Sequence, residues 1–212
     1  MENVIPIDDQ PISAGFFGEG RWLTSYITPD AQEVQALHKE LTEGIADARG
    51  RIVACWQWVA SQVKYVKLVK SRTWISGKSV VQRDLWTPPE ITIKTRIGNC
   101  AVKSLLLSSL LRNELPAAQV HCVLGNLYNG KPGGHSWVNL TLGDEDYYME
   151  STMLTAPPLI ASRLAERYEA VHYFNDREVL AVPGKTVLVP YTRCYSDWLE
   201  DYLNWAYIEG RR

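Results

Sequence analysis

Three residues in the middle of the chain combine the chemistry of an activated thiol nucleophile. Cys100 follows the turn residues Gly98 and Asn99 and opens an apolar run, His135 begins an alternating segment, and Glu150 lies at the end of the next one. A cysteine becomes a strong nucleophile when a histidine takes its proton and a carboxylate orients that histidine. These residue types in this order therefore predict an enzyme that forms a covalent intermediate on sulfur.

The position of Cys100 at the start of a predicted helix favours its thiolate form. The run from Ala101 to Leu111 is apolar on nearly all sides, which is typical of a fully buried helix. Amide groups and the dipole at a helix N-terminus stabilise a negative sulfur, and the Cys100 amide can also face a developing oxyanion. The alternative role is that of a small buried apolar residue, which we expect for Cys55 and Cys122, whereas Cys194 receives no assignment.

His135 and Glu150 lie on the two strands of a predicted hairpin. Residues 135–142 alternate between two faces, and a return strand reaches Glu150 after the turn residues Gly143 to Glu145. A hairpin centred near residues 142 and 143 pairs Asn139 with Asp146, Trp137 with Tyr148, and His135 with Glu150. This register predicts direct contact between the base and the carboxylate. For His38, His121 and His172 we expect structural or solvated roles.

A zinc site is the competing chemical hypothesis, with Cys100, Cys122, His121 and His135 as ligands. Adjacent residues of a strand point to opposite faces, so His121 and Cys122 are poorly placed to share one metal ion. No acidic loop has the pattern of a calcium-binding EF-hand either. We therefore predict no metal and no cofactor.

The remaining pattern predicts the elements that position these residues. Asp30 is a candidate cap for a helix with apolar residues at Val34, Leu37, Leu41 and Ile45. The other predicted elements are a helix from about Asp47 to Tyr65, a long irregular segment at 66–97, a helix around 159–168, a hairpin at 170–182 and a last helix from Ser196.

Composition limits the class of protein. The chain has 212 residues, 46% of them hydrophobic and 22% charged, which is typical of one globular domain. With a net charge of -2 and a pI of about 6.1, it has no overall positive field for nucleic acid or an anionic membrane. No signal peptide or membrane span is recognisable, so we expect a cytoplasmic protein with free thiols. Its oligomeric state is not predicted.

The motifs together resemble the transglutaminase-like superfamily of papain-related cysteine enzymes. They are Trp56-Gln57-Trp58-Val59, Gly98-Asn99-Cys100-Ala101, Gly134-His135-Ser136-Trp137-Val138 and Tyr148-Met149-Glu150-Ser151-Thr152. The resemblance spans roughly residues 30 to 153 of a single domain covering 1–212, and leaves 154–212 as a C-terminal extension. Members of this family usually carry aspartate where this chain has Glu150.

The resemblance implies an α+β fold in which the nucleophile helix packs on an antiparallel sheet. It makes Cys100 the nucleophile, His135 the general base and acid, and Glu150 the residue that orients His135. The family also implies an oxyanion donor upstream of the cysteine, for which the candidates are Trp74, Trp86, Gln57 and Tyr65. We further expect Trp137 and Asn99 to line a substrate groove.

The implied activity is acyl transfer from a peptide or carboxamide through a thioester. Hydrolysis of a protein or peptide is the first hypothesis, and cross-linking or deamidation of glutamine is the alternative within the same chemistry. A non-catalytic peptide-binding or structural module on the same fold is the alternative from another class.

Overall fold

The computed structural model describes residues 3–9, 11–12, 21–66, 71–75, 78–82, 86–129 and 131–187. Cys194 and the predicted last helix from Ser196 lie outside the described residues. The chain opens with short strands and continues into two helices. These elements are β1 (Ile5–Ile7), β2 (Pro11–Ile12), β3 (Arg21–Trp22), a 3-10 turn (Thr24–Tyr26), α1 (Gln32–Thr42) and α2 (Ala48–Gln62).

The two helices begin differently. Asp47 caps α2, because its side chain accepts a hydrogen bond from the amide of Gly50 at 2.7 Å. The predicted cap of α1 is wrong: the helix begins after Ala31, which has no side-chain acceptor, and Asp30 lies one residue too early. The apolar positions Val34 and Leu37 are nevertheless buried as the spacing predicts.

The segment at 66–97 contains regular structure, so the prediction of a long irregular stretch is wrong. β4 (Lys64–Tyr65) precedes it, and β5 (Ser71–Ile75) and β6 (Lys78–Gln82) pair as an antiparallel hairpin. α3 (Pro89–Thr95) follows, then β7 (Ile97–Gly98), which pairs in parallel with β4, and α4 (Cys100–Leu111). Pro89 occupies the first turn of α3, where its missing amide hydrogen costs nothing.

The second half of the chain forms most of one antiparallel sheet. Its strands are β8 (Val120–Asn129), β9 (Lys131–Leu142), β10 (Glu145–Met149), β11 (Ile160–Ala161), β12 (Tyr168–Phe174) and β13 (Val179–Ala181). Together with β1 they lie in the order β1-β13-β12-β8-β9-β10-β11. The predicted α+β fold is confirmed, as is the hairpin at 170–182. The helix predicted at 159–168 is wrong, because β11 pairs with β10 there and Ser162–Leu164 makes only a 3-10 turn.

Helix α4 packs against β8 and β9 of the sheet and against α1, α2 and α3. All residues from Ala101 to Leu111 are buried, as predicted from an apolar pattern that has no polar face. Leu106 and Leu110 pack with α1, α2 and the sheet residues Val138 and Leu140 in the main core. The sheet therefore rests directly on the helix that begins at Cys100.

The hairpin of β9 and β10 has a different register from the predicted one. Thr141 lies opposite Asp146 and Asn139 opposite Tyr148, so the pairing is shifted by two residues. The reason is the loop: only Gly143 and Asp144 form it, with Gly143 at φ 63°, and Glu145 already belongs to the strand. A shift of two residues preserves the face of every side chain, so His135 and Glu150 still lie on one side.

Gly125 permits the close packing of the sheet beside His135, which it faces across β8 and β9. A Cβ atom at this position would lie 2.2 Å from the carbonyl oxygen of Glu169 and 2.4 Å from Cη2 of the buried Trp137. We therefore expect Gly125→Ala to lower the free energy of unfolding by about 2–3 kcal/mol, as for an overpacked core. Urea denaturation measures this change. Gly133→Ala is the matched control, because nothing lies within 4 Å of the added atom, and equal losses in the two variants would contradict the prediction.

Candidate active site

His135 and Glu150 form a buried hydrogen-bonded pair. Nε2 of His135 lies 2.7 Å from Oε2 of Glu150. The side chain of His135 is 11% exposed and that of Glu150 only 1%, so the carboxylate is shielded from water while the imidazole reaches the surface. The structure thus brings together two of the three predicted residues, although they are not directly opposite in the hairpin.

The Glu150 carboxylate is held on both of its oxygens. Oε1 accepts hydrogen bonds from the amide of Thr152 at 2.8 Å and from its hydroxyl at 2.5 Å. Oε2 accepts a bond from the hydroxyl of Tyr168 at 3.0 Å in addition to its contact with His135. The backbone carbonyl of Glu150 accepts from Nε1 of Trp56 in α2 at 2.7 Å. These bonds fix the orientation of the carboxylate towards the imidazole.

Cys100 is the first residue of α4, as the sequence predicts. Asn99 caps the helix, because its Oδ1 accepts a hydrogen bond from the amide of Val102 at 3.0 Å. The pairing of β4 with β7 fixes the approach of the chain, with Tyr65 beside Gly98. The Cys100 side chain is partly exposed, and its interaction with His135 raises the pKa of that imidazole. Since Nε2 of His135 is used by Glu150, Nδ1 is the nitrogen left for the thiol.

A buried lysine joins α4 to α2. Lys103 lies one turn after Cys100 and is 1% exposed, and its Nζ donates to the carbonyl oxygens of Ala60 at 3.1 Å and Val63 at 2.8 Å. These are carbonyls at the end of α2, which have no partner within that helix. Burial lowers the pKa of Lys103 to about 8, against the opposing attraction of Glu150. Lys103 therefore fixes the position of α2 relative to the start of α4.

The pair of His135 and Glu150 is electrostatically coupled. Burial disfavours the imidazolium, but hydrogen bonding and charge interactions with Cys100 and Glu150 outweigh it and raise the pKa of His135 to about 10. Burial also disfavours the Glu150 carboxylate, yet His135 and Thr152 together lower its pKa. Both shifts favour a proton on the imidazole and a negative carboxylate at neutral pH.

We expect His135 to remain protonated through neutral pH and to titrate near pH 10. Its pKa in the folded protein lies above the ordinary value of 6.5, so protonated His135 stabilises the fold fully below pH 6.5. That contribution decreases above pH 6.5 and is lost as the pH rises through about 10. NMR titration of the imidazole signals, assigned with His135→Gln, measures the pKa. His172 is the internal control, since burial lowers its pKa; titration of His135 near 6.5 would contradict the prediction.

The predicted oxyanion candidates lie in different surroundings. Tyr65 is 43% exposed, next to the segment that leads to Cys100, and Gln57 is exposed on α2. Trp86 is a core residue, 5% exposed, with its ring edge-on to Tyr26 and stacked on Phe174. The side chain of Trp74 lies outside the described part of the chain.

The predicted groove residues need correction. Trp137 is fully buried and Asn99 is 4% exposed, so neither side chain lines an open groove. Trp137 packs instead against the rings of His135, Tyr148 and Tyr168. Asn99 acts as the cap of α4, because its carboxamide is turned towards the helix amides.

Cys55, Cys122, His38 and His121 have structural surroundings, as expected. Cys55 and Cys122 are buried, and burial raises the pKa of each thiol to about 12, which keeps both protonated. His121 contacts Glu178 at 3.2 Å, and His38 lies 3.6 Å from Glu114. Within the described ranges, no group of three or more His, Cys, Asp or Glu residues is arranged to hold a metal ion.

Sequence reasoning missed several residues of the site. Thr152 was part of the recognised motif, but its two hydrogen bonds to Glu150 depend on a local turn of the chain. In the sequence, Trp56 is an ordinary residue of an amphipathic helix and Lys103 an ordinary residue of a buried one, so neither stands out. Tyr168 has no sequence signal, because it lies in a segment whose pattern predicted a helix. Among the described helices, none has the length and apolar character needed to span a membrane.

Comparison with known proteins gives one family and a set of distant structures. The model of the transglutaminase-like superfamily matches residues 35–150. Legionella pneumophila LapG is 15% identical with a TM-score of 0.47, and the alignment covers 84% of this chain and 98% of that one. A candidate cysteine protease from Cytophaga hutchinsonii is 18% identical with a TM-score of 0.44, with 78% and 56% covered. No curated protein matches the chain.

Proposed function

The chain belongs to the transglutaminase-like superfamily, and on this basis we propose that it is a cysteine-dependent enzyme that hydrolyses peptide or carboxamide bonds. The proposed nucleophile is Cys100, with His135 as base and acid and Glu150 as the orienting carboxylate. The observation that carries this proposal is the 2.7 Å contact of Nε2 of His135 with Glu150, because it leaves the other ring nitrogen to interact with the thiol.

The arrangement of charges supports the proposed roles. The raised pKa of His135 and the lowered pKa of Glu150 favour an imidazolium beside a carboxylate, and Cys100 lies next to that positive charge. An adjacent imidazolium and a helix N-terminus both stabilise a thiolate. Cys100 is partly exposed and therefore accessible to a substrate, in contrast to the buried Cys55 and Cys122.

The proposed reaction has two steps. The Cys100 thiolate attacks the carbonyl carbon and forms a C–S bond; the C–N bond then breaks, and the departing amine takes a proton from the His135 imidazolium. In the second step water attacks the thioester, and His135 accepts its proton. The acid product leaves, and the thiolate and imidazolium are restored.

The oxyanion formed in each step needs hydrogen-bond donors. The Cys100 amide is the first proposed donor, since it is one of the amides at a helix N-terminus that have no partner within the helix. Tyr65 is the most favoured side chain among the upstream candidates, because β4 places it beside Gly98, two residues before Cys100. Gln57 is less favoured than Tyr65, because it lies on α2, which ends before β4 begins.

Hydrolysis, amine transfer and deamidation share the thioester and differ in the acyl acceptor and the leaving group. The test incubates a peptide library with the protein, with and without an added primary amine, and compares the products with those of Cys100→Ala by mass spectrometry. We expect cleaved peptides from the wild type alone. A gain of the amine mass would indicate transferase activity, and conversion of glutamine to glutamate would indicate deamidation. Identical spectra for both proteins would contradict the proposal.

A further inference from the structure

Tyr168 contributes a hydroxyl to the candidate site from a part of the chain that the family match does not cover. The match ends at residue 150, whereas Tyr168 begins β12. Its hydroxyl donates to Oε2 of Glu150 at 3.0 Å, the same oxygen that contacts Nε2 of His135. One carboxylate oxygen thus receives both the imidazole and the phenol.

A bulge in β12 places Tyr168 on the correct face of the sheet. His172 pairs with Leu124 and Ala170 pairs with Gly125, so Val171 is an extra residue in β12. Residues five apart on a regular strand point to opposite faces, and the extra residue reverses this relation. Tyr168 consequently lies on the same face as Tyr173 and beside the ring of His135.

The surroundings of Tyr168 hold its ring firmly. Its centroid lies 6.2 Å from that of His135, 5.1 Å from Trp137 in an edge arrangement, and 5.9 Å from Tyr148. Burial and the negative charge of Glu150 raise the pKa of Tyr168, which keeps the hydroxyl protonated and able to donate. The ring and the hydroxyl therefore have separable contacts, because the packing involves aromatic neighbours and the hydrogen bond involves Glu150.

We infer that Tyr168 is a positioning residue of the acyl-transfer site, whose hydroxyl fixes the Glu150 carboxylate against Nε2 of His135 and so directs Nδ1 to Cys100. This inference rests on the proposed function. Tyr168 acts through Glu150 and does not contact the substrate in this scheme. The Tyr168 hydroxyl donates to one oxygen of the carboxylate and Thr152 donates to the other. The carboxylate therefore has a single orientation towards the imidazole.

The test compares Tyr168→Phe with Tyr148→Phe. Both changes keep the ring in the same aromatic cluster, but it is the Tyr168 hydroxyl that donates to Glu150. On the fastest peptide of the library, we expect Tyr168→Phe to lower kcat about tenfold with KM within about twofold, as for a lost bond to a charged group. Tyr148→Phe should change neither constant. An unchanged kcat in Tyr168→Phe, or equal losses in the two variants, would overturn the inference.

A second measurement uses iodoacetamide as the probe and needs no substrate. We expect Tyr168→Phe to slow alkylation of Cys100 at pH 7 in the wild-type background and to have no effect in the Glu150→Gln background, since the hydroxyl acts through the carboxylate. The same fold-loss in both backgrounds would overturn the inference. Failure of the proposed function would instead appear as a wild-type protein that turns over no peptide.

Discussion

Replacement of Cys100 by alanine is expected to abolish turnover, with a loss of about 10⁵-fold or more in kcat, because in the proposed mechanism no other group supplies the nucleophile. The side chain is partly exposed and lies at the first position of α4, so its removal leaves little cavity. We therefore expect the free energy of unfolding to change by less than about 1 kcal/mol. Steady-state kinetics on a cleaved peptide and urea denaturation measure the two effects.

Cys55→Ala is the matched control for the nucleophile. Cys55 is fully buried in α2, and its loss creates a small cavity in the main core. We expect this variant to lose about 1 kcal/mol of stability and to retain wild-type kcat. Turnover that survives in Cys100→Ala would contradict the assignment of the nucleophile.

Replacement of Glu150 by glutamine is expected to lower kcat about 10³-fold, through the wrong tautomer of His135. The amide and hydroxyl of Thr152 both donate to Oε1, so they select the carboxamide oxygen of glutamine for that position. The carboxamide nitrogen then faces Nε2 of His135, which has to act as acceptor. The imidazole proton moves to Nδ1, and the ring loses its ability to take the proton of Cys100.

The same change has a predicted pH dependence. Removal of the carboxylate charge lowers the pKa of His135 from about 10, so the alkaline limit of activity moves to lower pH. Glu150→Asp is the matched variant, because it keeps the charge and loses one methylene of reach, and we expect it to retain about ten times more activity than Glu150→Gln. The pH profile of kcat/KM measures both quantities. Equal activity in the two variants would contradict an electrostatic role for Glu150.

Helix α4 and the face of the hairpin were predictable because each depends on local periodicity. Residues 101–111 are apolar on all sides of a helix, and in a protein of this size such a helix is expected to be buried. The alternation in β9 places His135 and Trp137 on one face of the sheet. A shift of the hairpin by two residues leaves that face unchanged. The family motifs then selected Cys100 and His135 from several cysteines and histidines.

The rest of the site depends on tertiary structure that leaves no periodic signal. The exact register of β9 and β10 depends on whether Glu145 lies in the loop or in the strand. The two arrangements differ by only one hydrogen-bonded pair. Tyr168 reaches Glu150 only because β12 contains a bulge at Val171. The alternation of apolar and polar residues along the sequence does not predict such a bulge. Lys103 looks like an interruption of an apolar helix until the carbonyl groups of α2 are in place to accept its hydrogen bonds.

The alkylation rate of Cys100 reports directly on whether His135, oriented by Glu150, activates this thiol. Native protein is treated with iodoacetamide at pH 7, and each cysteine peptide is followed by mass spectrometry in the wild type and in His135→Ala. We expect Cys100 to be alkylated about 100-fold more slowly in His135→Ala than in the wild type, while the buried Cys55 stays slow in both proteins. An alkylation rate of Cys100 that is unchanged in His135→Ala would contradict the activation of Cys100 by His135.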